Sequence, residues 1–323
     1  MSFDAARALA EAAVTAGDIP CAVLGLTGRG GREVAVSGCA VKVPAPIAAT
    51  RDTLFDLASL TKPLFTAERI LAHARAGRID LDAPLTTLLP DLRQYDTACW
   101  ERQVTFRACL GHLTPFPAVE PIYTYGSDPA TLRAFVLQRE WKRQSRAVYS
   151  DINFILLGIA LERLEGRPVR DMDPGPGLTF SPPPEDCAAT EECSWRGRIL
   201  RGEVHDENAF ALRGAGHAGL FGSADALLDF AELALARGPG LVGTALSGTR
   251  THGWEIRHPG WSGGQGCAAG TIGHTGFTGT GLWIDFAAGT AWTLLTNRVH
   301  PSRHLESGIA ALRRAVGEAL YGD

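Results

Sequence analysis

The first twenty residues, MSFDAARALAEAAVTAGDIP, punctuate charged positions such as Asp4 and Glu11 with alanines and read as an amphipathic helix. The pattern then changes to short runs rich in Val and Leu. CAVLGLTG (21–28) and REVAVSG (32–38), separated by RGG, predict two antiparallel strands joined as a hairpin. The C-terminal end repeats the theme: TGLWIDF (280–286) and TAWTLLTN (290–297) bracket AAG as a second hairpin, and HLESGIAALRRAVGEAL (304–320) returns to helical periodicity. Between these ends strand alternation almost disappears. Helices are predicted over 59–77, 128–139, 151–165 and 223–237, the last with Ser223 as N-cap and Asp225 in its first turn, where negative charge suits the helix dipole. DPGPGLTFSPPPED (173–186) holds too much Pro and Gly for regular structure. No repeat and no long linker divides the chain. The economical architecture is α/β of the α+β kind, with one antiparallel sheet built from both chain termini, helices packed on it and an inserted helical lobe. Residues 1–323 are expected to form one domain, with 1–58 and 240–323 in the sheet lobe and 59–239 in the mainly helical one.

Composition narrows the function classes. With 323 residues, 45% hydrophobic and 20% charged, the chain is ordinary globular material, long enough for one large two-lobed domain or two modest ones. Its 31 basic and 35 acidic residues give a formal net charge of -4, which offers no electrostatic footprint for a phosphate backbone, so no nucleic-acid partner is expected. No stretch approaches the roughly 18 apolar residues of a membrane span, and the N-terminal segment lacks the charged start and compact apolar core of an export signal. No membrane partner and a cytoplasmic location are expected. The seven cysteines are odd in number, scattered and without CxxC pairing, so reduced thiols are expected and a zinc site is not. Cys187 and Cys193 flank AATEE, a spacing read as coincidental in a reducing compartment.

Candidate chemistry begins at FDLASLTKPLFTA (55–67), where an apolar strand-like run turns into a helix-like one. A helix starting near Ser59 puts Lys62 on the same face about one turn later, with Cβ atoms roughly 5–6 Å apart. A serine hydroxyl is a weak nucleophile until a neighbouring group takes its proton, and a lysine does so where its surroundings disfavour the ammonium form. The helix start adds N–H groups near the same oxygen, and Pro63 fits early in a helix. S-x-x-K alone is a common chance pair of N-cap and solvated lysine. Two later stretches change its weight: YSDINFILLGIALERLEG (149–166) opens with Tyr149 and Asp151 ahead of an apolar helix, and GHTGFTGTGLWID (273–285) places His274-Thr275-Gly276 at the start of a predicted strand. S-x-x-K, S-D-N and K-T-G in that order mark penicillin-recognising serine enzymes.

With S-L-T-K, Y-S-D and H-T-G in order, the chain resembles the class C β-lactamase and low-molecular-weight penicillin-binding protein family, including its esterases and D-aminopeptidases. The connecting segments GRIDLDAPLTTLLPD and GHAGLFGSADALLDFAELA also look like those of the family, so the resemblance spans essentially the whole chain. It implies a β-lactamase/penicillin-binding-protein-like fold, an acyl-enzyme mechanism without cofactor or metal, and a small-molecule ester, amide or β-lactam substrate. By that resemblance Ser59 is the acylated nucleophile, Lys62 its proton partner and Tyr149 the relay between nucleophile, lysine and leaving group. His274 and Thr275 line the substrate strand, Gly276 lets the substrate lie close, and the N–H groups of Ser59 and Phe277 form the oxyanion hole. Two positions depart from the pattern. Asp151 stands where Y-x-N has Asn, and an ionised carboxylate cannot donate the hydrogen bond that Asn gives an acyl-amide carbonyl. His274 stands where lysine is commoner, which removes a fixed positive charge.

The expected activity is therefore that of an esterase or D-amino-acid peptidase with weak β-lactam hydrolysis, with acyl transfer to an alcohol or amine as a second reading and a catalytically silent scaffold as a third. GWSGG (260–264) matches G-x-S-x-G around Ser262 but lacks the strand before and helix after that the nucleophile elbow needs. His205, Asp206 and Glu207 are adjacent and point different ways, so they read as a loop facing the cleft and not as a metal cluster. His73, His112 and His217 read as packed or surface residues, and REWKRQSR (139–146) as a wet helix face.

Overall fold

The computed structural model describes residues 2–322 and brings the two chain ends into one sheet. Helix α1 (Phe3–Ala16) is opened by the Ser2 hydroxyl, which accepts from Ala5 N, and closed by Gly17 in the left-handed region at φ 83°. The expected hairpin follows as β1 (Cys21–Gly28) and β2 (Gly31–Val41), with β3 (Ile47–Ala48) at the edge. The C-terminal part supplies β4 (Glu255–Ile256), β5 (Ile272–Thr275), β6 (Gly281–Asp285) and β7 (Thr290–Thr296). All pairings are antiparallel in the order β3-β2-β1-β7-β6-β5-β4, so β1 and β7 lie side by side at the centre, from Ala22↔Thr296 to Thr27↔Ala291.

Four further helices frame the sheet and the site: α2 (Glu68–Arg75), α3 (Asp151–Glu165), α4 (Ala224–Arg237) and α5 (Ile309–Tyr321). One sheet face packs on α1 and α5 through a core that includes Phe3, Ala10, Val316 and Leu320. Within it Trp283 and Trp292, cross-strand partners on β6 and β7, stack at 3.8 Å. The opposite face joins the large core of the helical lobe, reached through α4. No helix among the described residues is long and apolar enough to cross a membrane, and all seven cysteines are free thiols.

Several expectations shift in detail. Helix 151–165 is found as read, 128–139 becomes Pro129–Gln138 capped by Asp128, and Ser223 caps α4 by accepting from Ala226 N. The last helix starts at Ile309, after Gly308 at φ 57°, and not at 304. The stretch 59–77 is wound in three ways: a 3₁₀ turn over Ala58–Leu60, a π-helical stretch over Lys62–Ala67, then α2. His274-Thr275-Gly276 does not start a strand. It ends β5, and Gly276–Thr280 turns into β6, closed by Gly276 N donating to Thr280 O at 2.8 Å and Gly279 N to Gly276 O at 3.1 Å. A hairpin of Ala189–Cys193 with Arg198–Arg201 lies in the inserted part, where no strands were expected. Its buried positions include Thr190 and Glu191, so the apolar alternation that betrays a strand is missing.

Helix α3 is buried on nearly every side from Ile152 to Leu161 and packs directly on the loop around Gly216. A Cβ at Gly158 would lie 2.6 Å from Gly216 N. In a free helix Gly158→Ala would gain about 1 kcal/mol. Here it is expected to destabilise the protein by about 1–3 kcal/mol, because backbone must move to admit the methyl. Urea unfolding measures this, and an unchanged or raised midpoint would show that the contact relaxes freely.

Candidate active site

The segment carrying Ser59 is held by side chains from three directions. Asp56 is buried, and its carboxylate accepts from Ala58 N at 2.8 Å and from His205 N at 2.6 Å. This turn sets Ala58 at φ 47°, a left-handed conformation that costs a non-glycine residue energy and persists only where surroundings over-determine it. The turn after β5 supplies the second hold: Thr278 Oγ1 donates to Asp56 O at 2.7 Å and Thr280 Oγ1 to Leu57 O at 3.1 Å. Thr61 supplies the third, donating to Ala58 O while its oxygen accepts from Leu220 N. Gly276 is required by this packing, since a Cβ there would collide with Thr280 Oγ1 and lie 2.5 Å from Leu57 O. The sequence expectation gave Gly276 a substrate-clearance role; its missing side chain makes room for the backbone before Ser59.

In the tight turn Ala58–Leu60, side chains three apart eclipse, which sets Lys62 against Ser59. Lys62 Nζ donates to Ser59 Oγ at 2.9 Å and to His217 O at 3.0 Å. Asp151 Oδ1 lies 2.8 Å from the same nitrogen, as an ion pair and not an aligned hydrogen bond. The lysine side chain is 0% exposed. Burial opposes its charge, but Asp151 and then Tyr149 outweigh burial and push its pKa up to about 12. Lys62 is therefore an ammonium in the resting site, giving a hydrogen bond to Ser59 and taking none.

Tyr149 stands immediately before the start of α3. Ser150 N donates to His112 Nδ1 at 3.0 Å, Ser150 Oγ to Pro117 O, and Asp151 N to Ala118 O, fixing the entry to the helix. The Tyr149 ring lies between His112, centroids 4.3 Å apart, and His274 at 5.9 Å. Lys62 Nζ and Arg250 Cζ sit 5.0 and 5.3 Å from its centroid, and its buried hydroxyl has no hydrogen-bond partner among the described residues. Burial first, then the charges of Arg250 and Lys62, hold both His112 and His274 well below the usual imidazole range, so both rings are neutral. His112 Nδ1 accepts from a backbone N–H, so the proton resides on Nε2.

These groups open on a cleft of about 680 Å³ lined by Ser59, Tyr149, Asp151, His274, Thr275 and Phe277. Lys62 lies beneath it. Val119 and Phe277 give the mouth an exposed apolar edge. Of the two arginines in the lining, Arg303 is engaged by Glu191 and Glu207, each at 2.6 Å. Arg250 has no carboxylate within 4.0 Å among the described residues, and it faces Tyr149. Ser262 lies outside the lining and accepts from Trp283 Nε1 at 3.2 Å.

The loop His205–Glu207 does face the cleft. Asp206 Oδ1 meets His217 Nε2 at 2.8 Å and accepts from Ala209 N. Burial raises the Asp206 pKa, but His217 and that backbone N–H outweigh it and hold the carboxyl below its usual range. Asp151, Asp206 and His217 bring potential ligand atoms within 4.8 Å of one another, a grouping that their separation in sequence concealed. The Lys62 ammonium lies 2.8 Å from its Asp151 member. Sequence reasoning passed over Arg250, whereas His73, His112 and His217, read as packed or surface residues, are all buried.

The Beta-lactamase family profile matches residues 6–316. Among curated proteins, the chain is 28% identical to an N-acetylmuramyl-L-alanine amidase of Bacillus subtilis (77% of this chain, 68% of that one). It is likewise 28% identical to a putative D-alanyl-D-alanine carboxypeptidase of Escherichia coli (80% and 72%). Among solved structures, EstCE1, a hydrolase with promiscuous acyltransferase activity, superposes with TM-score 0.75 at 18% identity, covering 98% of this chain and 97% of the other. A class C β-lactamase does so with TM-score 0.75 at 18% identity, covering 99% and 96%.

The buried ion pair makes a test. A lysine whose folded value exceeds the ordinary 10.5 gains stability that is complete below pH 10.5 and is lost as pH rises through about 12. Asp151→Leu strands a wholly buried ammonium and is expected to destabilise by about 3 kcal/mol at pH 7, the penalty shrinking by pH 11. Lys62→Met leaves a carboxylate that still reaches water and is expected to be milder. Urea unfolding of both variants at the two pH values checks this; equal, pH-independent penalties would remove the ion pair from the account.

Proposed function

Because the chain belongs to the Beta-lactamase family, we propose that this serine hydrolase works through an acyl-enzyme on Ser59, on small esters and D-amino-acid amides or peptides. The observation that carries the reading is the 2.9 Å hydrogen bond from a buried, charged Lys62 to a serine on the cleft lining. In the proposed reaction Ser59 Oγ attacks the substrate carbonyl carbon. The Oγ proton passes to Tyr149 Oη as the tyrosine's own proton passes to the leaving oxygen or nitrogen, so no phenolate accumulates. Lys62 stays charged throughout and stabilises negative charge on Oγ. The N–H groups of Ser59 and Phe277 receive the carbonyl oxygen as it becomes an oxyanion. Water then enters by the reverse proton path and releases the acyl group. An alcohol in place of water would give transfer, an activity named for the structurally similar EstCE1.

Asp151 and Arg250 tune the substrate. Asp151 accepts and cannot donate, which disfavours substrates whose acyl-amide carbonyl needs a donor, β-lactams among them. Arg250 supplies the unpaired cation that neutral His274 does not, which favours acceptance of a free carboxylate such as a D-alanyl terminus.

A fluorophosphonate is expected to add to Ser59 alone by intact-mass and peptide mapping, and Ser59→Ala to lose ester hydrolysis. An adduct on Ser262, or full activity in Ser59→Ala, would overturn the reading. In kcat/KM, p-nitrophenyl acetate is expected to exceed nitrocefin by several orders of magnitude, and Asp151→Asn to raise the nitrocefin rate about tenfold, the equivalent of one hydrogen bond of up to about 1.5 kcal/mol. Arg250→Ala is expected to raise KM for D-alanyl peptides about tenfold while leaving their methyl esters unchanged, the effect of one charge-assisted contact. Faster turnover of nitrocefin than of the acetate would refute the substrate assignment.

A further inference from the structure

The turn that presents the Phe277 N–H is gripped from behind by the last helix. Arg313 on α5 is 7% exposed, and its Nη2 donates to Gly276 O at 3.0 Å and to Thr280 O at 2.7 Å. Among the described residues no carboxylate answers it. The one charge that bears on it is another cation, Arg298, and its Nε has no partner. Burial and then Arg298 draw its pKa down to about 9, so it remains charged at neutral pH. A buried cation without a counter-charge is costly to a fold, and apolar replacement of such groups is often neutral or stabilising. The turn is also closed without it, by Gly276 N to Thr280 O and Gly279 N to Gly276 O, and anchored by Thr278 and Thr280 on the Ser59 segment. Stability does not account for this arginine.

Its position relative to one peptide group does. Gly276 O and Phe277 N–H are the two ends of a single amide, whose resonance couples them. A charge-assisted hydrogen bond on the oxygen draws electron density from the nitrogen and strengthens its N–H as a donor. That N–H donates to no other group among the described residues. We propose that Arg313 is a positioning residue of the oxyanion hole, clamping the Gly276 and Thr280 carbonyls so that the Gly276–Phe277 amide is both fixed and polarised toward the developing oxyanion. The proposal rests on the assignment of the Phe277 N–H to that hole. It concerns an interaction that grows as negative charge develops on the substrate oxygen, so it acts on kcat and leaves ground-state binding nearly untouched.

Arg313→Met and Arg313→Lys separate this role from a structural one. Deleting a whole oxyanion donor costs about 10²–10³ in kcat; weakening one is expected to cost about tenfold in Arg313→Met, with KM within about twofold. Arg313→Lys, which keeps the charge but reaches one carbonyl, is expected to fall between. An arylboronic acid, whose adduct on Ser59 places a tetrahedral boronate oxygen in the hole, is expected to bind Arg313→Met about tenfold more weakly, matching the kcat loss. The melting temperature of Arg313→Met is expected to be unchanged or higher. Losses of kcat and stability together, restored by neither lower temperature nor Arg313→Lys, would show a structural role and overturn the proposal. So would wild-type kcat and boronate affinity in Arg313→Met while Ser59 still takes the fluorophosphonate. A wild-type protein that takes no label on Ser59 overturns the acyl-enzyme reading instead, and the role of Arg313 with it.

Discussion

A lysine side chain with no solvent exposure must find all of its electrostatic satisfaction inside the protein, and the helical lobe is arranged around that demand. Lys62 meets Ser59 in the turn that precedes it, Asp151 in the first turn of α3, and the carbonyl of His217 in the loop that leads to residue 221. Each acceptor is fixed by something other than the lysine. Asp151 N donates to Ala118 O, and a carboxylate in the first turn is favoured by the helix dipole. The His217 loop is pinned by Thr66 Oγ1 on Gly216 O at 2.7 Å and by the contact of Gly216 with Gly158. The ammonium thus sits where three independently supported segments converge. A shift of any one would leave a buried charge short of a partner, an error of several kcal/mol.

The sheet lobe reaches the same place by a different device. Short hydroxyl side chains at Thr278 and Thr280 cross from the turn after β5 to the two carbonyls that precede Ala58. Because Gly276 lacks a Cβ, that turn approaches the Leu57 backbone closely enough for them to reach. The strained φ of Ala58, the π-helical stretch from Lys62 and the positive φ of Gly279 at 111° are all local irregularities, and all of them lie within the segments that these bonds join. These irregularities lie where the sheet and the helical part must agree on the position of one serine.

That distribution explains what could be read from the sequence. The hairpins at both ends, α1 and α4 are periodic and the two helices are capped by serines, so propensity and pattern place them, whereas α3, apolar on nearly every side, is placed by its length and by Gly166 after it. The grouping of Ser59, Tyr149, Asp151, His274 and Phe277 around one cleft was legible because motif order survives where residue identity drifts. Illegible were the features made by burial and long-range contact. The hairpin 189–201 hides its strands behind inward Thr190 and Glu191, the turn Gly276–Thr280 was read through as strand, and Asp206 finds His217 only when two loops meet. Arg313 looked like any polar position on an amphipathic C-terminal helix, since nothing in a 3.6-residue period announces that an arginine will point inward without an acid to meet it.

The charge inventory of the cleft ties these observations to chemistry. Where the resembling pattern has a neutral Asn and a cationic Lys, this chain has an anionic Asp151 and a neutral His274, a change of two negative units at the walls of one cavity. The fold answers the first by placing Asp151 against Lys62, which favours the lysine's charged form. It answers the second with Arg250, whose guanidinium sits over Tyr149 and is free of carboxylate partners among the described residues. With Lys62 held as a donor and both histidines kept neutral by burial and by these cations, the buried, unpartnered hydroxyl of Tyr149 on the same cleft is able both to accept and to give a proton. In the proposed reaction the proton therefore passes through a hydroxyl. In that proposal the charged residues around it act by their fields and keep one protonation state from attack to release.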